Sequence, residues 1–197
     1  QLLANAAISP IAGVDEAGRG ACAGPLVIAS VVLNDPFAAE LAVVRDSKEI
    51  PESKRDAVFD LIHQVAVSVS VVIVPASEVD SRGVHAANLD GMRRAVQGLT
   101  VEPAYVLTDG YAIEGLGVPN LAVWKGDQVV VSISAASVIA KVTRDRIMRE
   151  MDLEFPHYGF AGHKGYITAA HTKALNEHGP CAQHRQSFAN VAALIHK

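Results

Sequence analysis

The run Leu26 to Leu33 (LVIASVVL) is apolar and β-branched over eight residues, and it constrains the chain more than any other stretch. Stiff, branched side chains of this kind favour a strand over a helix. Ile11 to Asp15 reads as a shorter strand before it, with Gly18, Gly20 and Gly24 between the two. Ala66 to Val74, nearly continuous in valine and closed by Pro75, reads as a third. Ala104–Thr108 and Leu121–Trp124 complete the set. Between them the spacing turns helical. Val58, Leu61, Ile62 and Val65 share one face of Pro51–Ala66, and a second helix is expected over Ala87–Leu99. The longest helix is expected over Ile133–Asp152, with Pro156 barring its continuation, and a last one over Thr168–Glu177, closed by Gly179-Pro180. Early strands followed by alternating strands and helices indicate an α/β chain, a mixed sheet with flanking helices. At 197 residues and 50% hydrophobic content, one domain with a full core is expected, and disorder is excluded. Two cysteines, Cys22 and Cys181, exclude a disulfide framework. No apolar stretch approaches the ~20 residues that cross a bilayer. Gln1–Pro10 shows no cationic region leading into an apolar run, so an intracellular, cytoplasmic protein is expected.

Acidic residues recur in one context. Asp15 and Glu16 follow the first strand, Asp109 follows Ala104–Thr108, and Asp127 follows Leu121–Trp124 and precedes the longest helix. A carboxylate at a strand end beside a glycine is both rigidly placed and reachable. Asp-Gly is also a common turn pair, so any one of these acids has an ordinary explanation. Four at one sheet edge would repel one another, raise each other's pKa, and be tolerable only with cations among them. An all-oxygen donor set favours Mg²⁺ or Mn²⁺ over zinc, and two such ions suit in-line phosphoryl displacement. Neighbours on a strand point to opposite faces, so for Asp15 and Glu16 to serve one site a bulge or turn is expected there.

Charge is divided along the chain. Residues 141–197 hold eight Lys/Arg against five Asp/Glu, and residues 1–140 nine against sixteen. Six of the eight histidines also fall in the later part. This division suits an acidic metal-holding body with a basic, phosphate-holding flank, though ordinary surface variation gives the same totals. The loop Gly18-Arg19-Gly20-Ala21-Cys22-Ala23-Gly24 approximates a dinucleotide-binding turn. Against that, a strand rather than a helix succeeds it, and two acids precede it where a pyrophosphate would be repelled. Glycines there let the backbone approach a sugar-phosphate chain closely, with Arg19 as a cationic donor.

Further pieces occur in a fixed order: Asp15-Glu16-Ala17-Gly18-Arg19-Gly20, Asp46-Ser47-Lys48, Thr108-Asp109-Gly110, Lys125-Gly126-Asp127, and Ala135 through Asp145 (AASVIAKVTRD). Tyr158-Gly159-Phe160, His163-Lys164-Gly165-Tyr166 and His184-Arg185-Gln186-Ser187-Phe188 come after them. From about Gly13 to Phe188 the chain resembles the bacterial type 2 ribonucleases H (ribonuclease HII). The resemblance implies an RNase H-like fold, with a mixed five-stranded sheet, flanking helices and a small helical C-terminal portion. One domain over 1–197, with 155–197 as its helical appendage, is expected. It implies cleavage of the RNA strand of RNA–DNA hybrids. It also implies a cut 5′ of single ribonucleotides embedded in duplex DNA, leaving a 3′-hydroxyl and a 5′-phosphate. The family's four carboxylates map to Asp15, Glu16, Asp109 and Asp127, which would hold two Mg²⁺ or Mn²⁺ ions. Its 2′-hydroxyl-reading loop maps to Gly18, Arg19 and Gly20, its sugar-packing tyrosine to Tyr166, and a phosphate contact to Lys48. Arg45 and Ile167 depart from the family's usual residues, but neither touches a proposed ligand.

Other expectations concern single residues. Arg144, Lys164 and Arg185 are phosphate candidates, with an ion pair on the long helix as the alternative for Arg144. His178, Cys181 and His184 invite a zinc reading that lacks its fourth ligand, so Cys181 is expected to be a buried thiol. His163 is expected at the surface or in packing rather than near the phosphates, and Trp124 in the core. A monomer without membrane contact is expected. Other two-metal nucleases of the same fold class, and a non-catalytic nucleotide binder, are the alternative functions.

Overall fold

The computed structural model describes residues 8–195; Gln1–Ala7, on which part of the signal-peptide reading falls, and His196–Lys197 lie outside them. Five strands form one sheet: β1 (Ile11–Ala17), β2 (Leu26–Leu33), β3 (Ala66–Val74), β4 (Tyr105–Asp109) and β5 (Asn120–Val123). Eight helical segments accompany them: α1 (Glu52–Val65), α2 (Ala76–Arg82), α3 (Val84–Gln97), the single turn α4 (Gly126–Val129), α5 (Val131–Glu154), the single turn α6 (Phe160–His163), α7 (Ala169–His178) and α8 (Ala189–Ile195). Ala39–Val43 forms a 3₁₀ turn. The strand order is β3-β2-β1-β4-β5, so β1 is central. It runs antiparallel to β2 and parallel to β4, and β4 is parallel to β5.

Side-chain parity divides the core. On β2, Val27, Ala29, Val31 and Leu33 pack against α1 and α5. Leu26, Ile28 and Val32 pack against α2 and α3 on the other face. All of β2 is therefore buried, which is why its sequence shows no polar alternation. β3 is an edge strand, and its exposed Val67, Val71 and Ile73 are the cost of that position.

The parity carries through β1. Ala12 and Val14 face α3. Gly13, one residue out of phase, meets the backbone of α5: a Cβ there would strike the carbonyl of Ser132 and the amide nitrogen of Ile133. This close approach brings the start of the 24-residue α5 directly over the central strand. α7 begins with Thr168, whose hydroxyl accepts the His171 amide at 3.1 Å, and ends at Gly179 in a positive-φ conformation.

Most element boundaries fall within three residues of those expected from sequence. Trp124 is a correction: it is 83% exposed rather than core. It lies just past β5, an edge strand of the sheet. None of the helices among the described residues is long and apolar enough to cross a membrane.

The Gly13 contact has a measurable consequence. Gly13→Ala should destabilise the fold by about 3 kcal/mol, because the methyl group meets backbone that cannot rotate away. A urea midpoint unchanged from wild type would show that α5 can move off β1 freely.

Candidate active site

The register that buries β1 also decides where its acids point. Asp15 shares the α5 side of the sheet with Gly13, and Glu16 shares the α3 side with Val14. β1 pairs with β2 without interruption through Asp15↔Ala29 and Glu16↔Ile28, so the expected bulge is absent. Regular geometry separates the two carboxylates instead. On β4, Asp109 is in phase with Leu107 and out of phase with Val106, which packs toward α3; this sends Asp109 to the face of Asp15. Asp127 arrives from α4, after Lys125 has turned the chain in a left-handed conformation (φ 53°). Asp15, Asp109 and Asp127 each offer an oxygen within 4.8 Å of the others.

Few groups neutralise them. Glu16 N–H donates to Asp15 Oδ1 at 2.7 Å, and Gly126 N–H donates to Asp109 Oδ1 at 2.8 Å. A Cβ on Gly126 would meet Ile133, so the close turn needs glycine. Lys48 Nζ reaches Asp127 Oδ2 at 3.5 Å and Asp46 Oδ2 at 3.8 Å while remaining largely exposed. Burial, followed by the charge of Glu16, pushes the Asp15 carboxyl well above the usual range. Burial, then Asp46 and Asp109, raises Asp127. Burial raises Glu16 to about 7, against the opposing pull of Arg19. Hard oxygen donors that resist ionisation on their own fit a divalent cation, and Glu16 Oε2 is buried without a hydrogen-bond partner.

These acids open onto a pocket of about 460 Å³ lined by Asp15, Glu16, Gly18, Arg19, Gly20, Lys48, Asp109 and Tyr166. The residues singled out from sequence thus meet at one place, with Asp127 beside it through Lys48. Gly18 has φ +87°, and Gly20 is exposed with open space where a Cβ would be. The Arg19 guanidinium lies 4.6 Å from the Tyr111 ring centroid. Tyr166 is 40% exposed at the rim.

Other expectations are corrected. Arg144 and Arg185 are 1% and 0% exposed, so neither reaches a phosphate, and Arg144 bonds to carbonyl oxygens rather than to an acid. Lys164 is also buried, donating to the Ala161 carbonyl and lying 3.7 Å from Glu52. Cys181 is partly exposed, whereas Cys22 is the buried thiol. His184 turns Nδ1 toward Cys181 Sγ (3.2 Å) and Nε2 toward His171 Nε2 (3.1 Å), so its ring bridges these two neighbours. His163 packs, its ring 4.2 Å from that of His171.

Sequence reading missed Asn88, Asp46 as a charge beside Asp127, and Ser137, which donates to Ser47 Oγ at 3.0 Å. Asn88 is fully buried on the apolar face of α3, and both its amide atoms lack partners. A polar residue among Ala87, Met92 and Ala95 was the available signal.

The fold and the acidic sheet edge define an RNase H-like protein. The crystal structure of the ribonuclease H2 from Pyrococcus horikoshii OT3 superposes with a TM-score of 0.81, covering 94% of this chain and 97% of that one at 24% identity. The structure of Bst-RNase HIII in complex with Mn²⁺ has a TM-score of 0.69 at 17% identity, covering 95% of this chain and 69% of that one. The family model for ribonuclease HII matches residues 12–191, and the chain belongs to that family. A ribonuclease HII of Acidothermus cellulolyticus is 57% identical over 189 residues, which are 96% of this chain and 62% of that relative's length.

The raised pKa of Glu16 gives a signed expectation. A carboxyl that binds its proton more tightly when folded withdraws stability as pH rises from about 4.5 toward 7. In EDTA, Glu16→Gln should therefore gain melting temperature over wild type, and gain more at pH 8 than at pH 5. Comparing the two proteins at each pH removes the opposite trend of His184, held near 4 by burial and by His171. An equal difference at both pH values would mean Glu16 titrates normally.

Proposed function

We propose that the protein is a divalent-metal-dependent endoribonuclease that cleaves the RNA strand of RNA–DNA hybrids. We further propose that it cuts 5′ of single ribonucleotides embedded in duplex DNA, leaving a 3′-hydroxyl and a 5′-phosphate. The observation that carries this reading is the convergence of Asp15, Asp109 and Asp127 within 4.8 Å, beside an open pocket that also holds the glycine loop and Tyr166. Membership of the ribonuclease HII family supports it, as does the Mn²⁺ in the structurally similar Bst-RNase HIII. The unit would act as a monomer in the cytoplasm, with 155–197 as a helical appendage to one RNase H-like domain.

Asp15, Asp109 and Asp127, with Glu16 beside them on the same pocket, would hold two Mg²⁺ or Mn²⁺ ions. When bound, such ions would supply Lewis-acid stabilisation of the scissile phosphate and a water of lowered pKa. The protein's own part is placement. Gly126 N–H fixes Asp109, and the amide of Glu16 fixes Asp15. Lys48, charged and exposed beside the acids, is placed to meet a phosphate. The 2′-hydroxyl separates RNA from DNA at a given site, so recognition has to touch it. Gly20, open to solvent and without a side chain, lets the backbone do so, with Gly18 turning the loop and Arg19 adding a donor. Tyr166 at the opposite rim would pack on the sugar of the next nucleotide.

Three substrates with and without Mg²⁺ or Mn²⁺ test the reading: a DNA duplex with one ribonucleotide, a continuous RNA–DNA hybrid, and a branched all-DNA molecule. Metal-dependent cutting of the first two alone is expected; cutting of the branched DNA would favour another two-metal nuclease. Asp109→Asn should lose about a thousandfold or more in turnover while keeping its fold, since the amide oxygen can still accept from Gly126. Near wild-type turnover with Mn²⁺ would remove Asp109 from the ligand set. Tyr166→Ala should lose far more activity on the single ribonucleotide than it loses in melting temperature. Matched losses would make Tyr166 a packing residue.

A further inference from the structure

Two arginines lie buried beneath the pocket, and the proposed chemistry uses neither. Arg144, from the middle of α5, donates from Nε to Pro25 O at 2.9 Å, from Nη1 to Lys164 O at 2.8 Å and from Nη2 to Ala23 O at 3.1 Å. Arg185 donates from Nε to Gly24 O and from Nη1 to Arg19 O, both at 3.1 Å. Five carbonyl oxygens thus solvate two guanidinium groups, a costly arrangement when an apolar pair could fill the same volume. Burial and the neighbouring Arg144 charge lower Arg185 to about 10.

The carbonyls belong to two segments only. One runs from Arg19 to Pro25, continuous with the glycine loop. The other is Lys164, two residues before Tyr166. The segments also touch directly: Cys22 N–H donates to Gly165 O at 3.0 Å, and a Cβ on Gly165 would strike Ala23 O. Arg144 reaches the functional ends of both. Its guanidinium lies 5.5 Å from the Tyr166 ring centroid, and a Cβ on Gly18 would land on Arg144 Nε. With all three of its nitrogens bonded, the guanidinium cannot swing away. Together with the Cys22–Gly165 bond, this planar fork sets the spacing between the glycine loop and the tyrosine.

We propose that Arg144, assisted by Arg185, is a positioning residue that fixes the distance between the Gly18–Gly20 loop and Tyr166, and through it selects a ribonucleotide followed by a deoxynucleotide. This rests on the proposed reading of that loop and of Tyr166. Lysine cannot replace the fork, because its single nitrogen lacks donors in fixed, coplanar directions. In a continuous hybrid the nucleotide after the recognised ribonucleotide is itself a ribonucleotide, so cutting does not depend on meeting a ribose-to-deoxyribose step and places less demand on the spacing.

The test measures kcat/KM for Arg144→Lys and Arg185→Lys on the single-ribonucleotide duplex and on the continuous hybrid, with Mn²⁺ affinity by titration calorimetry. The ratio of the two kcat/KM values should shift against the single ribonucleotide by about tenfold, the size expected of sub-ångström misplacement. Mn²⁺ affinity should stay unchanged. In a Tyr166→Ala background neither substitution should move the ratio further. Should Arg144→Lys fail to fold, Arg185→Lys carries the same expectations from the other half of the clamp. Equal losses on both substrates, or the same shift with and without Tyr166, would overturn the positioning role and leave a purely structural staple. A wild type that cuts neither substrate overturns the functional reading first, whereas normal cutting with an unmoved ratio overturns the clamp alone.

Discussion

Mutual repulsion at the end of the central strand governs the rest of the architecture. Asp15, Asp109 and Asp127 bring three oxygens within 4.8 Å, in a setting where burial alone already disfavours charge. Such an arrangement relaxes by moving apart unless its supports are stiff. The supports here are closely packed and hydrogen-bonded. β1 is hydrogen-bonded on both sides, α5 is pressed onto it at Gly13, and the Asp127 turn is pinned where the Ser134 hydroxyl donates to the Asp127 carbonyl at 2.7 Å. Packing in the two apolar layers thus holds three carboxyls together at the sheet edge against their mutual repulsion.

Strand parity then divides the labour. Placing Glu16 on the face opposite Asp15 gives the acids two approaches through one strand, with no irregularity in the backbone. Asp109 acts on both, its charge raising Asp15 and Glu16 alike. On the Glu16 side, Asn88 and Arg19 lie close by with polar atoms still unpaired.

Strands and long helices are legible in the sequence because their periodicity is local. The acids are legible too, since each sits beside a glycine at a strand end. The geometry between neighbours is not. A bulge at Asp15-Glu16 is the expectation if both carboxylates share one face; alternation places them on two. Trp124 reads as core because aromatic residues usually are, and only the strand order reveals that β5 is an edge strand. Arg144 and Arg185 look like phosphate contacts. Their true partners lie 20 to 166 residues away in the chain, a separation that no local pattern encodes. The histidines of the later segment are similarly opaque. His171 and His184 face each other nitrogen to nitrogen at 3.1 Å, and this pairing joins α7 to the loop that carries Arg185.

Trp124 has a use that its exposure creates. It is the sole tryptophan of the chain, 83% open to solvent and three residues before Asp127. The protein therefore carries one intrinsic fluorophore on the segment that delivers a carboxylate to the acidic edge. Its emission reports that turn without background from any other indole, so ordering of the Lys125–Asp127 segment is open to optical spectroscopy on unlabelled material.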